Sequence, residues 1–346
     1  MNVASRRQHK NSSSKYDFVK VRIHLSDQHY YVLSRFLLSR MLTAARIDYS
    51  HALRIALDLK KRLVDKGRFD VSQQELQTEL FDLLNRHGYG QEHVHWYRTM
   101  ASFHHQRIPL LVLIGGTGSI GKSTIATALS ERLNLSSVLK TDVVYDLMHT
   151  IIDGLVPPCQ WLLPHFDSTH EGTLVRQGLD PDLCKSVMDG KSIIIEGTLA
   201  NHDLLDYLHC YTEHTNVIIV PFMLTLVDVK THRHLAKEAQ LDADGPFERM
   251  REYQQALIDT NQERQGQQHE QPQKQGKGCS FYEIRVDLDD LHNTIDTMQS
   301  IVLDLIAAQL NTSNSTAEKQ SAVNNNTSHE PKKPVVFNCP TAAGSG

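Results

Sequence analysis

The chain has 346 residues, of which 40% are hydrophobic and 22% charged. That is enough apolar matter for one large or two modest packed domains, and too much for wholesale disorder. Lysine and arginine total 36 against 40 aspartates and glutamates, a formal net charge of -4, which argues against a general nucleic-acid binder but leaves room for one small cationic pocket.

In chain order, residues 1–15 are polar and basic with no apolar run, so they read as a disordered start rather than a secretory signal. Bases without acids there leave an organelle-transit reading open. Residues 16–100 predict a short strand, Phe18–Ile23, followed by helices. Ala52, Ile55, Ala56, Leu59 and Leu63 recur at helical spacing. Ser72-Gln73-Gln74-Glu75 has the spacing of a capping box ahead of Leu76, Leu80, Leu83 and Leu84. Gly88 stands where a helix would stop. The region predicts a small, mainly helical domain whose Leu stripes are core.

Residues 101–310 alternate short apolar runs with helical patterns. The expected strands are Leu110–Ile114, Val138–Lys140, Ser192–Ile195, Val217–Phe222 and Phe281–Val286. Their apolar residues are continuous rather than alternating, which predicts a parallel sheet covered by helices on both faces, an α/β architecture. Within this region, residues 262–278 are rich in Gln and nearly free of apolar side chains, and are expected to be a flexible insertion. Residues 311–346 are rich in Asn, Ser and Thr and read as a disordered tail.

Cys159, Cys184, Cys210, Cys279 and Cys339 are odd in number and widely spaced. They predict neither a disulfide framework nor a zinc knuckle, and point to a reduced compartment, the cytoplasm. No run reaches the roughly 18–20 apolar residues of a membrane span. No membrane or nucleic-acid partner is expected, and the oligomeric state leaves no mark on the sequence.

One motif carries chemistry. Gly116-Thr117-Gly118-Ser119-Ile120-Gly121-Lys122-Ser123 fits G-x-x-x-x-G-K-[ST] and continues into Thr124. An apolar strand precedes it, and Ile125, Ala128, Leu129 and Leu133 follow on one helical face. Glycines let successive N–H groups point inward at phosphate oxygens. The helix that follows presents its positive end to the same anion. Lys122 would put a mobile charge on the β- and γ-phosphates of ATP, and the Ser123 hydroxyl would ligate Mg²⁺. A bare glycine turn would leave Lys122 and Ser123 without a role.

Two acids close predicted strands on the side where such sheets bind ligands. Asp142 follows Leu139-Lys140-Thr141, and Glu196 ends Ser192-Ile193-Ile194-Ile195. Glu196 is expected to hold Mg²⁺ as a Walker B-like acid, and Asp142 to act on the acceptor. A kinase also needs cations around the transferred group. Arg176, Arg233 and Lys237 are the candidates for the substrate pocket, with Arg249 and Arg251 nearby in sequence. His232 with His234, and His93 with His95, have no third ligand at metal-site spacing.

The string Phe103-His104-His105-Gln106-Arg107-Ile108-Pro109-Leu110, the glycine motif, and Thr141-Asp142-Val143-Val144-Tyr145-Asp146-Leu147 together resemble the 2-phosphoglycerate kinase family. The match is closest to its eukaryotic branch, the low-phytic-acid type P-loop NTPase-domain proteins. Gly190–Gly197 and Val220-Pro221-Phe222-Met223 extend the likeness, and Leu33-Ser34-Arg35-Phe36 resembles the ATP-cone-like domain that precedes the kinase there. The resemblance implies a P-loop nucleotide-kinase-like fold. It also implies ATP-dependent phosphorylation of 2-phosphoglycerate to 2,3-bisphosphoglycerate, and a link to phytate metabolism. Departures bear on the acceptor rather than on ATP. The family carries a His where this chain has Leu199, and archaeal members carry arginines where it has Tyr145, His234 and Glu238; Tyr145 agrees with the eukaryotic branch. Other readings are a kinase for an inositol phosphate, an ATP-binding regulator without phosphoryl transfer, and a scaffold working through the Gln-rich segment.

Overall fold

The structure is a computed structural model and describes residues 16, 18–135, 137–152, 168–212, 215–241, 243–270 and 279–323. The chain divides into two compact units, the first closing at Met100 and the second opening at Ala101. The start at 1–15 and the end of the tail lie outside the described residues.

In the first unit, β1 (Arg22–His24) pairs antiparallel with β2 (Tyr30–Val32) and parallel with β3 (Asp70–Ser72). The expected strand over Phe18–Ile23 therefore shifts toward His24, because only Arg22, Ile23 and His24 face partner strands. The helices α1 (Arg35–Ala44), α2 (Tyr49–Asp65) and α3 (Gln73–Arg86) lie in this unit, the last two where the sequence spacing predicts them, and α4 (Gln91–Gln106) begins in it. The capping box is present, with the Ser72 hydroxyl accepting from the Glu75 amide and the Glu75 carboxylate accepting from the Ser72 amide. Beyond α3, Gly88 takes φ +85°, a left-handed value that favours glycine and stops the helix. Ile55, Leu59, Leu63, Leu76, Leu80 and Leu84 form the core of this unit.

The second unit is built on a five-stranded sheet. In chain order it contains β4 (Leu110–Gly115), α5 (Lys122–Leu133), β5 (Ser137–Lys140), α6 (Thr141–Ile152), α7 (Ser168–Asp189), β6 (Ile193–Glu196) and α8 (His202–His209). Then come β7 (Ile218–Thr225), α9 (Val229–Glu238), α10 (Asp244–Glu270), β8 (Tyr282–Arg285) and α11 (Leu291–Val323). The order is β5-β6-β4-β7-β8, and every pairing is parallel. Parallel strands need helical crossovers, so both faces are covered. Leu111, Leu113, Ile193 and Ile195 pack with Val175, Leu179 and Leu183 of α7 and Leu204, Leu205 and Leu208 of α8. The alternate residues Val112, Ile114 and Ile194 are equally buried on the opposite face. Continuous burial is why these strands read as unbroken apolar runs.

Two expectations change. The Gln-rich stretch set at 262–278 is helical as far as Glu270, as the end of α10, while 271–278 lie outside the described residues. The tail set to begin at residue 311 is helical as far as Val323, as the end of α11. Gln, Glu and Arg are good helix formers, which suits the end of α10; in both helices a polar segment that extends existing turns avoids the cost of nucleation and needs no core of its own. Among the described residues no helix is long and apolar enough to cross a membrane.

Candidate active site

The register of the sheet sets the site. Ile114 of β4 lies opposite Glu196 of β6, and Glu196 lies opposite Lys140 of β5. The strands therefore end level, and whatever follows each emerges at the same carboxyl edge, where open α/β sheets bind ligands. After β4 comes the glycine loop; after β5 come Thr141 and Asp142; and β6 ends on Glu196 itself.

The loop needs its glycines. Gly116 takes φ +143°, and a Cβ there would stand 2.6 Å from the Leu224 carbonyl oxygen and 2.7 Å from Ile120 Cδ1. Gly121 takes φ +83° and caps α5 without a side-chain hydrogen bond. The first-turn amides of α5 are thus left to a ligand, as an anion site requires. Ser119, at φ +56°, is a non-glycine residue in the left-handed region. Thr117, Gly118 and Ile120 are buried, and Ser123 and Thr124 open α5 after Lys122.

Lys122 is 7% exposed. Its ammonium donates to the Thr117 carbonyl at 2.5 Å and to Thr198 Oγ1 at 3.4 Å. Burial pulls its pKa below the ordinary lysine value, while the charges of Asp142 and Glu196 act in the other direction. Glu196 is 2% exposed. Its Oε1 accepts from the Ser123 hydroxyl at 2.7 Å and lies 3.8 Å from Lys140 Nζ.

Asp142 Oδ1 accepts from the Thr198 amide and from Thr141 Oγ1, each at 3.0 Å. That approach is permitted by Gly197, at φ +147°, where a Cβ would fall 1.9 Å from Thr141 Oγ1 and 2.8 Å from Asp142 Oδ1. One helical turn on, burial and the Asp142 charge raise the pKa of Asp146 above the ordinary carboxyl value.

The structure thus brings Lys122, Ser123, Asp142 and Glu196 together, and gives the three cations offered for the substrate different surroundings. The Arg176 guanidinium donates to Thr173 Oγ1 at 2.7 Å and lies 5.9 Å from the Tyr207 ring centroid. Arg233 is exposed and stacks on Phe247 at 4.4 Å. Lys237 is exposed near the end of α9. Arg251 donates to the Leu226 carbonyl at 2.7 Å. Of the residues that set the family departures, Leu199 is buried in the core beside α8, and the exposed His234 lies 3.6 Å from Glu238. Among the described residues no three His, Cys, Asp or Glu side chains stand together as a metal-ligand group.

Three further residues belong to the site. Thr198 joins it through its amide to Asp142, its hydroxyl to Lys122 and its carbonyl, which accepts from the Tyr253 hydroxyl at 2.7 Å. His232 Nε2 donates to the Gly118 carbonyl at 3.0 Å. The only sequence signal for Thr198 is its place just after the Glu196-Gly197 pair; His232 stands out in the sequence only beside His234, as a pair without a third metal ligand, and Tyr253 carries no signal.

Glu196 and Ser123 supply hard oxygens in contact with each other, a donor set that suits Mg²⁺ shared with substrate phosphates rather than a metal held by protein alone.

The chain is similar to curated 2-phosphoglycerate kinases. It is 30% identical to that of Pyrococcus horikoshii over 47% of this chain and 60% of the relative. It is 34% identical to that of Pyrococcus furiosus over 47% of this chain and 59% of the relative. It is 29% identical to that of Methanococcus maripaludis over 70% of this chain and 82% of the relative. The chain therefore spans about three fifths of the Pyrococcus relatives and most of the Methanococcus one. A comparison with protein-family models finds no match. Among solved structures, shikimate kinase from Acinetobacter baumannii aligns at 13% identity over 57% of this chain and 94% of that one, with a TM-score of 0.36. Deoxyadenosine kinase from M. mycoides aligns at 17% identity over 56% of this chain and 98% of that one, with a TM-score of 0.31. The likeness to 2-phosphoglycerate kinases read in the sequence is found again in these curated relatives.

Proposed function

We propose that the chain is an ATP-dependent kinase that phosphorylates 2-phosphoglycerate to 2,3-bisphosphoglycerate in the cytoplasm. The observation that carries the reading is the convergence of Lys122, Ser123, Glu196 and Asp142 at one carboxyl edge of the sheet. The curated relatives support the substrate, and the dispersed cysteines support the compartment.

The chemistry follows from the geometry. The glycine loop and the start of α5 wrap the phosphates of ATP with backbone amides. Lys122 leaves its contacts with Thr117 and Thr198 for the β- and γ-phosphates. Ser123 and Glu196 would hold Mg²⁺, which when bound neutralises charge between those phosphates. Asp142, held still by the Thr198 amide, accepts the proton of the acceptor's free hydroxyl. That oxygen forms its bond to the γ-phosphorus as the bond to the β–γ bridging oxygen breaks, and ADP departs with the electron pair. Burial of Lys122 and Glu196 keeps their charges largely out of water, which strengthens their action on the phosphates and the cation.

A second reading rests on the exposed His234–Glu238 pair and the buried Leu199. They stand where the family carries lid arginines and a histidine, and they favour a different acceptor, such as an inositol phosphate, or a regulator that binds ATP without transfer. The link to phytate metabolism belongs with these readings. A screen with labelled ATP against phosphorylated hydroxy acids and inositol phosphates tests them, with Asp142→Asn and Glu196→Gln as controls. Label in bisphosphoglycerate alone supports the first reading, label in an inositol phosphate replaces the acceptor, and tight ATP binding with no labelled product supports the regulator.

A further inference from the structure

Asp228 caps α9, accepting from the amides of Lys230 and Thr231. The cap fixes how the helix begins, and the helical period then sorts its side chains. Arg233, His234 and Lys237 face outward, whereas His232 turns inward and is 0% exposed. Its ring packs on Phe247 of α10 at 5.1 Å, and its Nε2 lies 3.0 Å from the Gly118 carbonyl oxygen.

A carbonyl oxygen only accepts, so Nε2 carries the proton in this bond. Nδ1 is buried and has no hydrogen-bond partner among the described residues, so the neutral ring with Nδ1 bare leaves no buried proton unsatisfied. Burial holds the imidazole pKa below its ordinary value; the hydrogen bond to Gly118 acts against this, and the charges of Arg251 on α10 and Lys122 at the start of α5 act with burial. The adjoining loop residue is held too, since Thr117 Oγ1 donates to the Met250 carbonyl of α10 at 2.8 Å.

The consequence lies in the peptide plane. In a trans peptide the C=O and the following N–H point in opposite directions. Fixing the Gly118 carbonyl toward His232 therefore turns the Ser119 amide the other way, away from His232. Glycine-rich backbone otherwise lets such a peptide flip freely. We infer that His232 is a positioning residue for the phosphate loop, holding the Gly118–Ser119 peptide in the orientation that receives phosphate before nucleotide arrives. Preorganisation of this kind shows in nucleotide affinity more than in turnover. The inference rests on the ATP-binding part of the proposed function.

The test measures binding of a fluorescent ATP analogue to the full chain, together with KM for ATP, kcat and thermal unfolding. His232→Leu removes the donor and is expected to weaken binding about tenfold, the cost of one buried hydrogen bond, with kcat changed by less than about threefold. His232→Gln carries an amide N–H that reaches roughly as far as Nε2, and is expected to restore affinity to within about threefold. His232→Asn stays polar but is too short to reach Gly118, and is expected to bind as weakly as His232→Leu; it stands in if the Leu variant does not fold. Wild-type affinity in the Leu or Asn variant overturns the inference alone. A Gln variant as weak as Leu also overturns it, because packing rather than hydrogen bonding would then be at issue. Wild-type protein that binds no nucleotide overturns the inference and the kinase reading together.

Discussion

The Ser123 hydroxyl donates directly to Glu196 Oε1 across 2.7 Å, joining the first turn of α5 to the end of β6. The contact unites residues 73 positions apart in sequence and makes the P-loop hydroxyl and the strand-end acid one oxygen donor set. A hydroxyl and a carboxylate facing each other this closely exchange their mutual bond for a shared hard cation at modest cost. Ser123→Ala and Glu196→Gln are each expected to raise the Mg²⁺ concentration at half-maximal activity roughly tenfold or more. Magnesium titration of steady-state turnover checks this, and chelation of the metal should abolish turnover in every variant.

Asp142 is placed by a backbone donor, the Thr198 amide, which does not distinguish a carboxylate from an amide oxygen. Asp142→Asn therefore keeps the geometry and removes the base. The expected result is a loss in kcat of about 10²–10⁴-fold, the span general-base catalysis covers, with ATP affinity within a few-fold of wild type. Stopped-assay kinetics beside nucleotide titration separate the two quantities.

Gly197 has the sharpest steric demand in the site. At φ +147°, with Thr141 Oγ1 1.9 Å from where a Cβ would stand, Gly197→Ala strains the backbone and pushes α6 away from β6. A loss of about 2–4 kcal/mol in unfolding free energy is expected, measured by urea titration. Residual activity in the folded fraction should also fall, because the displaced helix carries Asp142.

Stability should depend on pH through buried imidazoles. His232 and His202 are buried, and burial depresses both pKa values. A group held below its unfolded value contributes stability that is present above the unfolded pKa of about 6.5 and is lost as pH falls from there through the folded value. Carboxylates such as Asp228, also depressed, add their loss only in more acid solution. The urea midpoint is therefore expected to rise from about pH 5.5 to about pH 7.5. The rise should flatten in the His202→Gln, His232→Gln double variant.

Much of the site is legible in the sequence because it is local. The loop, its lysine and its serine are contiguous from Gly116 to Ser123, and Glu196 announces itself as an acid closing an apolar run. The rest is not local. His232 meets Gly118 across 114 residues, and Met250 meets Thr117 across 133; no spacing rule joins them. Nothing in a linear reading separates the buried His232 from the exposed His234 two positions on, because that depends on which face of α9 meets the loop. The segment of Arg176 suggests a substrate role, while its contacts with Thr173 and Tyr207 are a matter of side-chain direction that a linear reading does not carry. The Gln-rich and Asn-rich stretches show the limit of composition: a segment without a core still extends a helix that has one.

The central claim is tested most directly by incubating the purified full chain with labelled ATP, Mg²⁺ and 2-phosphoglycerate, and following 2,3-bisphosphoglycerate beside Lys122→Ala. The account predicts multiple turnovers in wild type and a rate at least about 10²-fold lower in the variant. No labelled bisphosphoglycerate from wild type, or an undiminished rate in Lys122→Ala, would contradict it.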